Sequence, residues 1–241
     1  MSGHSKWSTI KNKKEKTDSQ RAKIFTKIGR EISVAVKIGG PDLATNSRLR
    51  DVVYKAKSNN VPSSNIERII KKASGEGDKN DYINIVYEGY GPQGVAVLVK
   101  TLTDNKNRTA ANVRHYFDKF GGKLGSTGCV AYLFEKKGVI FIKLGEKKED
   151  DVFEFCTQNL ALDCEFEDDM AQILVSADNF YNFLEKLKEQ GYEVIKAEIE
   201  EVPSTYVKME GEENRIKMEK LIDAFREDDD VLDVWTNCEE F

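Results

Sequence analysis

The chain has little of what metal chemistry or a disulfide framework needs: two histidines and four cysteines in 241 residues, with no two cysteines spaced as CxxC. With only His4 and His115 to complement Cys129, Cys156, Cys164 and Cys238, a metal site is not expected, and reduced, largely buried thiols are. No apolar run approaches the length of a membrane span, so no membrane partner is expected. Residues 1–20 lack the apolar stretch of a secretory signal, which makes the cytoplasm the expected compartment. No cofactor motif is present. The stretch from Phe120 to Gly128 is rich in glycine but lacks the GxxxxGK[ST] order and follows a helix instead of opening one, which argues against nucleotide hydrolysis.

What the chain does have is segregated charge. Residues 1–75 hold 17 Lys and Arg against 6 Asp and Glu, a net of +11, whereas residues 76–241 hold 20 against 36, a net of −16. Within the second part, residues 76–144 are near neutral at 10 against 7, and the acid is concentrated after residue 144 at 10 against 29. Clustered cations gain affinity for phosphates by releasing counterions, so the first segment is expected to lie against a polyanion.

Hydrophobic spacing divides the chain further. Residues 1–20 show no periodicity and read as a flexible basic arm around Trp7. From Arg21, the residues Ile24, Phe25, Ile28, Ile32, Ala35 and Val36 share one arc of a helix, with Lys23, Lys27, Arg30 and Lys37 on the other. Gly39-Gly40-Pro41 stops it. Leu49, Val52, Val53 and Ala56 mark a second helix at i, i+3, i+4, i+7, and Ser64 with Glu67 suggests a capping box ahead of a third containing Ile66, Ile69, Ile70 and Ala73. Residues 21–75 are therefore expected to form a basic three-helix domain.

Beyond a polar, Gly-containing linker at 74–81, two strands (Tyr82–Glu88 and Val95–Leu102), a helix within Asp104–Phe120 and a strand at Cys129–Phe134 are expected. Residues 138–202 read as βαββαβ, a ferredoxin-like order. A last helix around Met218–Phe225 and a strand at Val231–Trp235 need a sheet to join, and the strands of 82–137 are short of partners. The expected fold is α+β in three domains: the helical domain, a middle domain from 82–137 plus 203–241, and a ferredoxin-like domain at 138–202 inserted into it.

Several features carry candidate chemistry. In the arm, His4, Lys6, Trp7, Lys11, Lys13 and Lys14 combine donors, positive charge and a stacking ring, a set suited to nucleic acid. In the first helix, Arg21 precedes the stripe Lys23, Lys27, Arg30, whose mutual repulsion is easiest to explain by an anionic partner. Arg48 and Arg50 extend the positive surface. Asn105, Arg108 and Arg114 lie close in sequence to Gly121, Gly122 and Gly125, and such a loop can approach an RNA backbone closely. His115 and Asp118, at i, i+3, offer a dyad with Ser126 or Cys129, but a helix exterior gives no oxyanion hole, and catalysis is not expected. The acidic runs Glu146–Asp151, Glu165–Asp169 and Glu227–Asp230 read as solvated loops.

Gly3-His4-Ser5-Lys6-Trp7, Arg21–Lys27, Glu31-Ile32, Gly39-Gly40, Asn46–Arg50, Asn65–Arg68, Thr103–Thr109, Val113–His115 and Gly121–Gly128, in this order, resemble YebC-type proteins over essentially the whole chain. The resemblance implies a three-domain fold without enzymatic activity. It leaves two functions open: DNA-binding transcriptional regulation, and a role on ribosomes stalled at proline-rich sequences, in keeping with mitochondrial relatives that act as translational activators. Pro41 and Ser63-Ser64 depart from the family pattern, and the second departure, which replaces a Lys-Asp pair, weakens a phosphate contact at the start of the third helix. Ribosomal RNA is the favoured partner, with the ribosome as its setting, DNA the alternative, and a monomer the expected state.

Overall fold

The computed structural model describes residues 18–75 and 82–239. Residues 1–17, and with them the arm residues His4 to Lys14 singled out above, lie outside the described residues. The described residues form two compact units: 18–75 with 82–132 and 206–239, and 133–205.

The first unit begins with three helices, α1 (Asp18–Gly39), α2 (Ser47–Ser58) and α3 (Ser63–Ala73). Their apolar stripes meet in a core of Ile28, Ile32, Ala35 and Val36 from α1, Leu49, Val52, Val53 and Ala56 from α2, and Val61, Ile66 and Ala73. Full burial of each large side chain is worth about 2 kcal/mol. Gly40, at φ +81°, ends α1 in the left-handed conformation that glycine adopts without a steric penalty. Asn46 joins two helix ends: its oxygen accepts from the Leu49 N–H at 3.0 Å to cap α2, while its Nδ2 donates to the Ala35 and Gly40 carbonyls at 2.8 and 2.7 Å. The expected capping box does not form. Helix α3 starts at Ser63 after Pro62, with no side-chain cap bond, so Ser64 already lies inside it.

The rest of this unit is an antiparallel sheet of β1 (Ile83–Tyr90), β2 (Ala96–Thr103), β3 (Lys123–Leu124) and β8 (Val231–Thr236), in the order β3-β1-β2-β8. Helices α4 (Lys106–Lys119) and α7 (Glu212–Glu227) contribute Val113, Phe117, Met218, Leu221, Ile222 and Phe225 to a core with Val97 and Val99 of β2. Strand β8, from the far end of the chain, pairs with β2 and sets Trp235 opposite Leu98.

The second unit is β4 (Phe134–Lys143), α5 (Glu149–Gln158), β5 (Asp163–Glu167), β6 (Met170–Ser176), α6 (Phe180–Glu189) and β7 (Glu193–Pro203). The strand order β5-β6-β4-β7, with all neighbours antiparallel, is ferredoxin-like. Phe180, Phe183, Leu184 and Leu187 of α6 are buried at the spacing that marks a core-facing helix.

Two further expectations are corrected. Cys129–Leu133 is a turn and a short 3-10 helix rather than a strand, because the Val130 and Ala131 amides are taken by a side chain, Glu88, instead of a neighbouring strand. The second compact unit spans 133–205, and its β4–β7 ladder continues to Phe134 opposite Pro203. The acidic runs are not simply solvated loops. Glu149–Asp151 form the first turn of α5, where the helix dipole favours acid, and Asp169 accepts from the Gly145 N–H at 2.9 Å. The third run, 227–230, is built into the site described next.

Candidate nucleic-acid interface

Between α7 and β8 the chain turns through Asp228, Asp229 and Asp230. Asp230 is 5 % exposed and gathers donors from β2 and α4. Arg108 reaches it through Nε at 3.2 Å and Nη2 at 2.7 Å, Thr103 Oγ1 donates at 3.1 Å and Thr109 Oγ1 at 2.8 Å. Burial alone would raise the Asp230 pKa; these hydrogen bonds outweigh it and hold the carboxyl below its ordinary value. Asp228 accepts from Asn112 and from the Tyr116 hydroxyl, both at 3.1 Å. Burial and the Asp228 charge push the Tyr116 pKa up to about 12. Asp228 and Asp230 thus pin one side of the turn to α4 and β2.

The other side of the turn faces α1. Lys23 is ion-paired with Glu227, Lys27 Nζ donates to the Arg226 carbonyl at 2.9 Å, and Arg30 Nη1 donates to the Asp229 carbonyl at 3.1 Å. Lys27 therefore sits at the C-terminal end of α7, where unpaired carbonyls and the helix dipole attract a cation. Burial is the main influence on Lys27 and lowers its pKa despite the nearby acids, whereas the Glu227 hydrogen bond raises that of Lys23. Arg30 also lies over the Tyr82 ring, 5.6 Å from its centroid. Beside these contacts opens a cleft of about 460 Å³, lined among others by Lys23, Arg30, Tyr82 and Arg108. The cationic stripe thus faces the acidic end of α7 and the turn after it, with one carboxylate and two backbone carbonyls as its acceptors.

A second polar cluster joins the helices to the sheet. Lys55 Nζ of α2 lies 3.0 Å from Glu31 of α1 and 3.0 Å from Asp233 of β8, with Lys100 of β2 at 3.9 and 3.7 Å from the same two acids. Glu31 is 6 % exposed. Burial opposes the Lys55 charge, but Asp233 and Glu31 outweigh it and its pKa is raised.

The glycine-containing loop is held by Glu88, a residue only 5 % exposed, through its carboxylate. It accepts from the backbone N–H of Gly128 at 2.6 Å and of Val130 and Ala131 at 2.8 Å each. Burial would raise its pKa; the three backbone hydrogen bonds outweigh this and lower it. Gly122 has no space for a side chain, because a Cβ there would stand 2.6 Å from the Tyr90 carbonyl oxygen. Gly125 is likewise closed off by Cys129. These two glycines serve the loop's own packing. Gly125 and Gly128 are nonetheless exposed, as are Gly121, Lys123, Ser126 and Thr127, followed by Ala131 and Tyr132.

The remaining candidates disperse. Asn105 caps α4 by accepting from the Arg108 N–H at 3.1 Å, and Arg108 is committed to Asp230 and Asp104. Arg21, Arg48, Arg50 and Arg114 are exposed, as are Arg68, Lys71 and Lys72 on α3. His115 and Asp118 are both exposed on α4. Burial raises the Cys129 thiol pKa, which disfavours a thiolate nucleophile. No helix among the described residues is long and apolar enough to cross a membrane.

Comparison with known proteins covers the same ground. Residues 5–76 match the TACO1/YebC protein N-terminal domain, and residues 82–238 match the TACO1/YebC second and third domain. A protein of Acetivibrio thermocellus called "Probable transcriptional regulatory protein" is 51 % identical over 238 residues, covering 98 % of each chain. One of Caldicellulosiruptor bescii with the same name is 50 % identical over 241 residues, covering 100 % of this chain and 99 % of its own. Among solved structures, a conserved hypothetical protein from Aquifex aeolicus superposes with a TM-score of 0.84 at 43 % identity, covering 98 % of each chain.

Proposed function

The chain belongs to the TACO1/YebC family, and we propose that it is a non-enzymatic, nucleic-acid-binding regulator of gene expression that acts as a cytoplasmic monomer on ribosomal RNA and relieves stalling on proline-rich sequences. The observation that carries this reading is the outward placement of cations on the helical unit: Arg48 and Lys57 on α2, and Arg68, Lys71 and Lys72 on α3, are all exposed. Residues 133–205, by contrast, hold 18 Asp and Glu against 8 Lys and Arg. Phosphate repels such a surface, so the helices supply the grip. Folded RNA read by shape and backbone needs no symmetric dimer, which suits a monomer.

DNA is the second reading. The curated relatives' name speaks for it, and so does α3, which exposes Arg68, Lys71 and Lys72 after a short break from α2, as a major-groove helix must.

Fluorescence anisotropy with a labelled single-stranded RNA of 30 nucleotides, repeated across a salt series, tests the grip. Replacing Arg68, Lys71 and Lys72 with Gln is expected to reduce the magnitude of the slope of log K against log salt by about 2, at roughly 0.7 per lost phosphate contact. An unchanged slope would remove α3 from the interface. A preference of the wild type for duplex DNA over RNA would favour the second reading.

A further inference from the structure

We infer that the stripe Lys23, Lys27, Arg30 is a phosphate-binding site that the protein keeps occupied with its own acidic turn, so that nucleic acid reaches it only by displacing residues 227–230. The inference rests on the nucleic-acid reading above and concerns how that binding is regulated. Successive cations along one arc of α1 meet the end of α7 and the turn after it: the Glu227 carboxylate, the Arg226 carbonyl and the Asp229 carbonyl. These are oxygen acceptors, one of them charged, against a face that the spacing of charge marks for a polyanion.

The turn is shaped for this from behind. Asp228 and Asp230 are consumed in holding it to Asn112, Tyr116, Arg108, Thr103 and Thr109. Glu227 and Asp229 remain exposed on the outside. The Lys23 and Glu227 side chains are 39 % and 61 % exposed, and ion pairs of that exposure hold weakly and are screened by salt. The neighbouring cleft of about 460 Å³ lets a competing phosphate approach Lys23 and Arg30 while the turn is still in place. A purely structural contact would need no such opening and would gain nothing from side chains left half in water.

The test uses the full chain and the same labelled 30-nucleotide RNA at low salt. Glu227→Gln with Asp229→Asn removes the competing charge without touching the stripe or the pinning residues. Glu146→Gln with Glu185→Gln, two exposed acids of the 133–205 unit, makes the same change in net charge. About tenfold tighter binding is expected for the first variant and less than threefold for the second. Adding Lys23→Gln and Lys27→Gln to the first variant should abolish the gain. Without RNA, acylation of Lys23 and Lys27 by an N-hydroxysuccinimide ester, read by mass spectrometry, should accelerate several-fold in the first variant and slow again when RNA is added. If the wild type binds but the two variants gain equally, the masking is overturned and the binding function stands. If neither the wild type nor any variant binds RNA or duplex DNA, the binding function falls and the masking with it.

Discussion

Glu88→Ala is expected to cost about 3 kcal/mol of folding stability, because it strips the acceptor from three backbone N–H groups. Each such donor left buried is costly. The sum is held down because the loop can open and let water reach Gly128 and Ala131, which are less enclosed than Val130. Glu88→Gln should lose less, since it keeps one carbonyl oxygen as an acceptor. Urea denaturation, comparing midpoints at constant m, measures both; a loss below about 0.5 kcal/mol for the alanine variant would show that the loop does not depend on this carboxylate.

The same group gives a pH dependence. Its pKa is lowered on folding, so the folded protein holds its proton less tightly than the unfolded chain does. The stabilisation is complete above the ordinary carboxylate range, near pH 5, and is lost as pH falls through the folded value. Asp230 follows the same sign. In the alanine variant the acid limb of the stability curve should be shallower than in the wild type.

Asp230→Ala is expected to cost a further, separate amount of about 3 kcal/mol. It leaves the Arg108 guanidinium and the Thr103 and Thr109 hydroxyls pointing at an empty site, and loosens the turn from its anchor. Asp230→Asn should be milder. Hydrogen exchange gives a local check: the Leu102 N–H donates to the Asp230 carbonyl at 2.8 Å, and its protection should fall in the alanine variant more than that of Val99 in the middle of β2. Equal protection at the two amides would mean that the turn is held by other contacts.

What could be read from the sequence was whatever depends on near neighbours. The i, i+3, i+4, i+7 spacing of Leu49, Val52, Val53 and Ala56 names a helix and its buried face together, and those residues are buried on α2. The pairing of β8 with β2 follows from a different logic, in which a lone helix and strand at the end of a chain must join a sheet whose edge strand is short of a partner. The ferredoxin-like strand order is legible for a similar reason, since βαββαβ with short connections has few ways to pair.

The candidate site was harder because its parts lie far apart in sequence. Lys23 and Glu227 are 204 positions apart, and no local pattern says which anion a basic stripe will meet. The spacing of Lys23, Lys27 and Arg30 is easiest to explain by an anionic partner but does not tell phosphate from carboxylate. Glu88 was hidden for another reason. In an alternating strand a charged residue normally reads as facing solvent, and only the fold reveals that this one turns into the loop after β3. Gly122 and Gly125 carried a real signal of close approach, yet the approaching groups are Tyr90 and Cys129 of the same chain.

The most direct test of the proposed function is to crosslink the protein to nucleic acid in living cells by ultraviolet light, recover it, and sequence what is attached. Ribosomal RNA dominating the recovered sequences is the predicted result. Promoter DNA dominating them would contradict it.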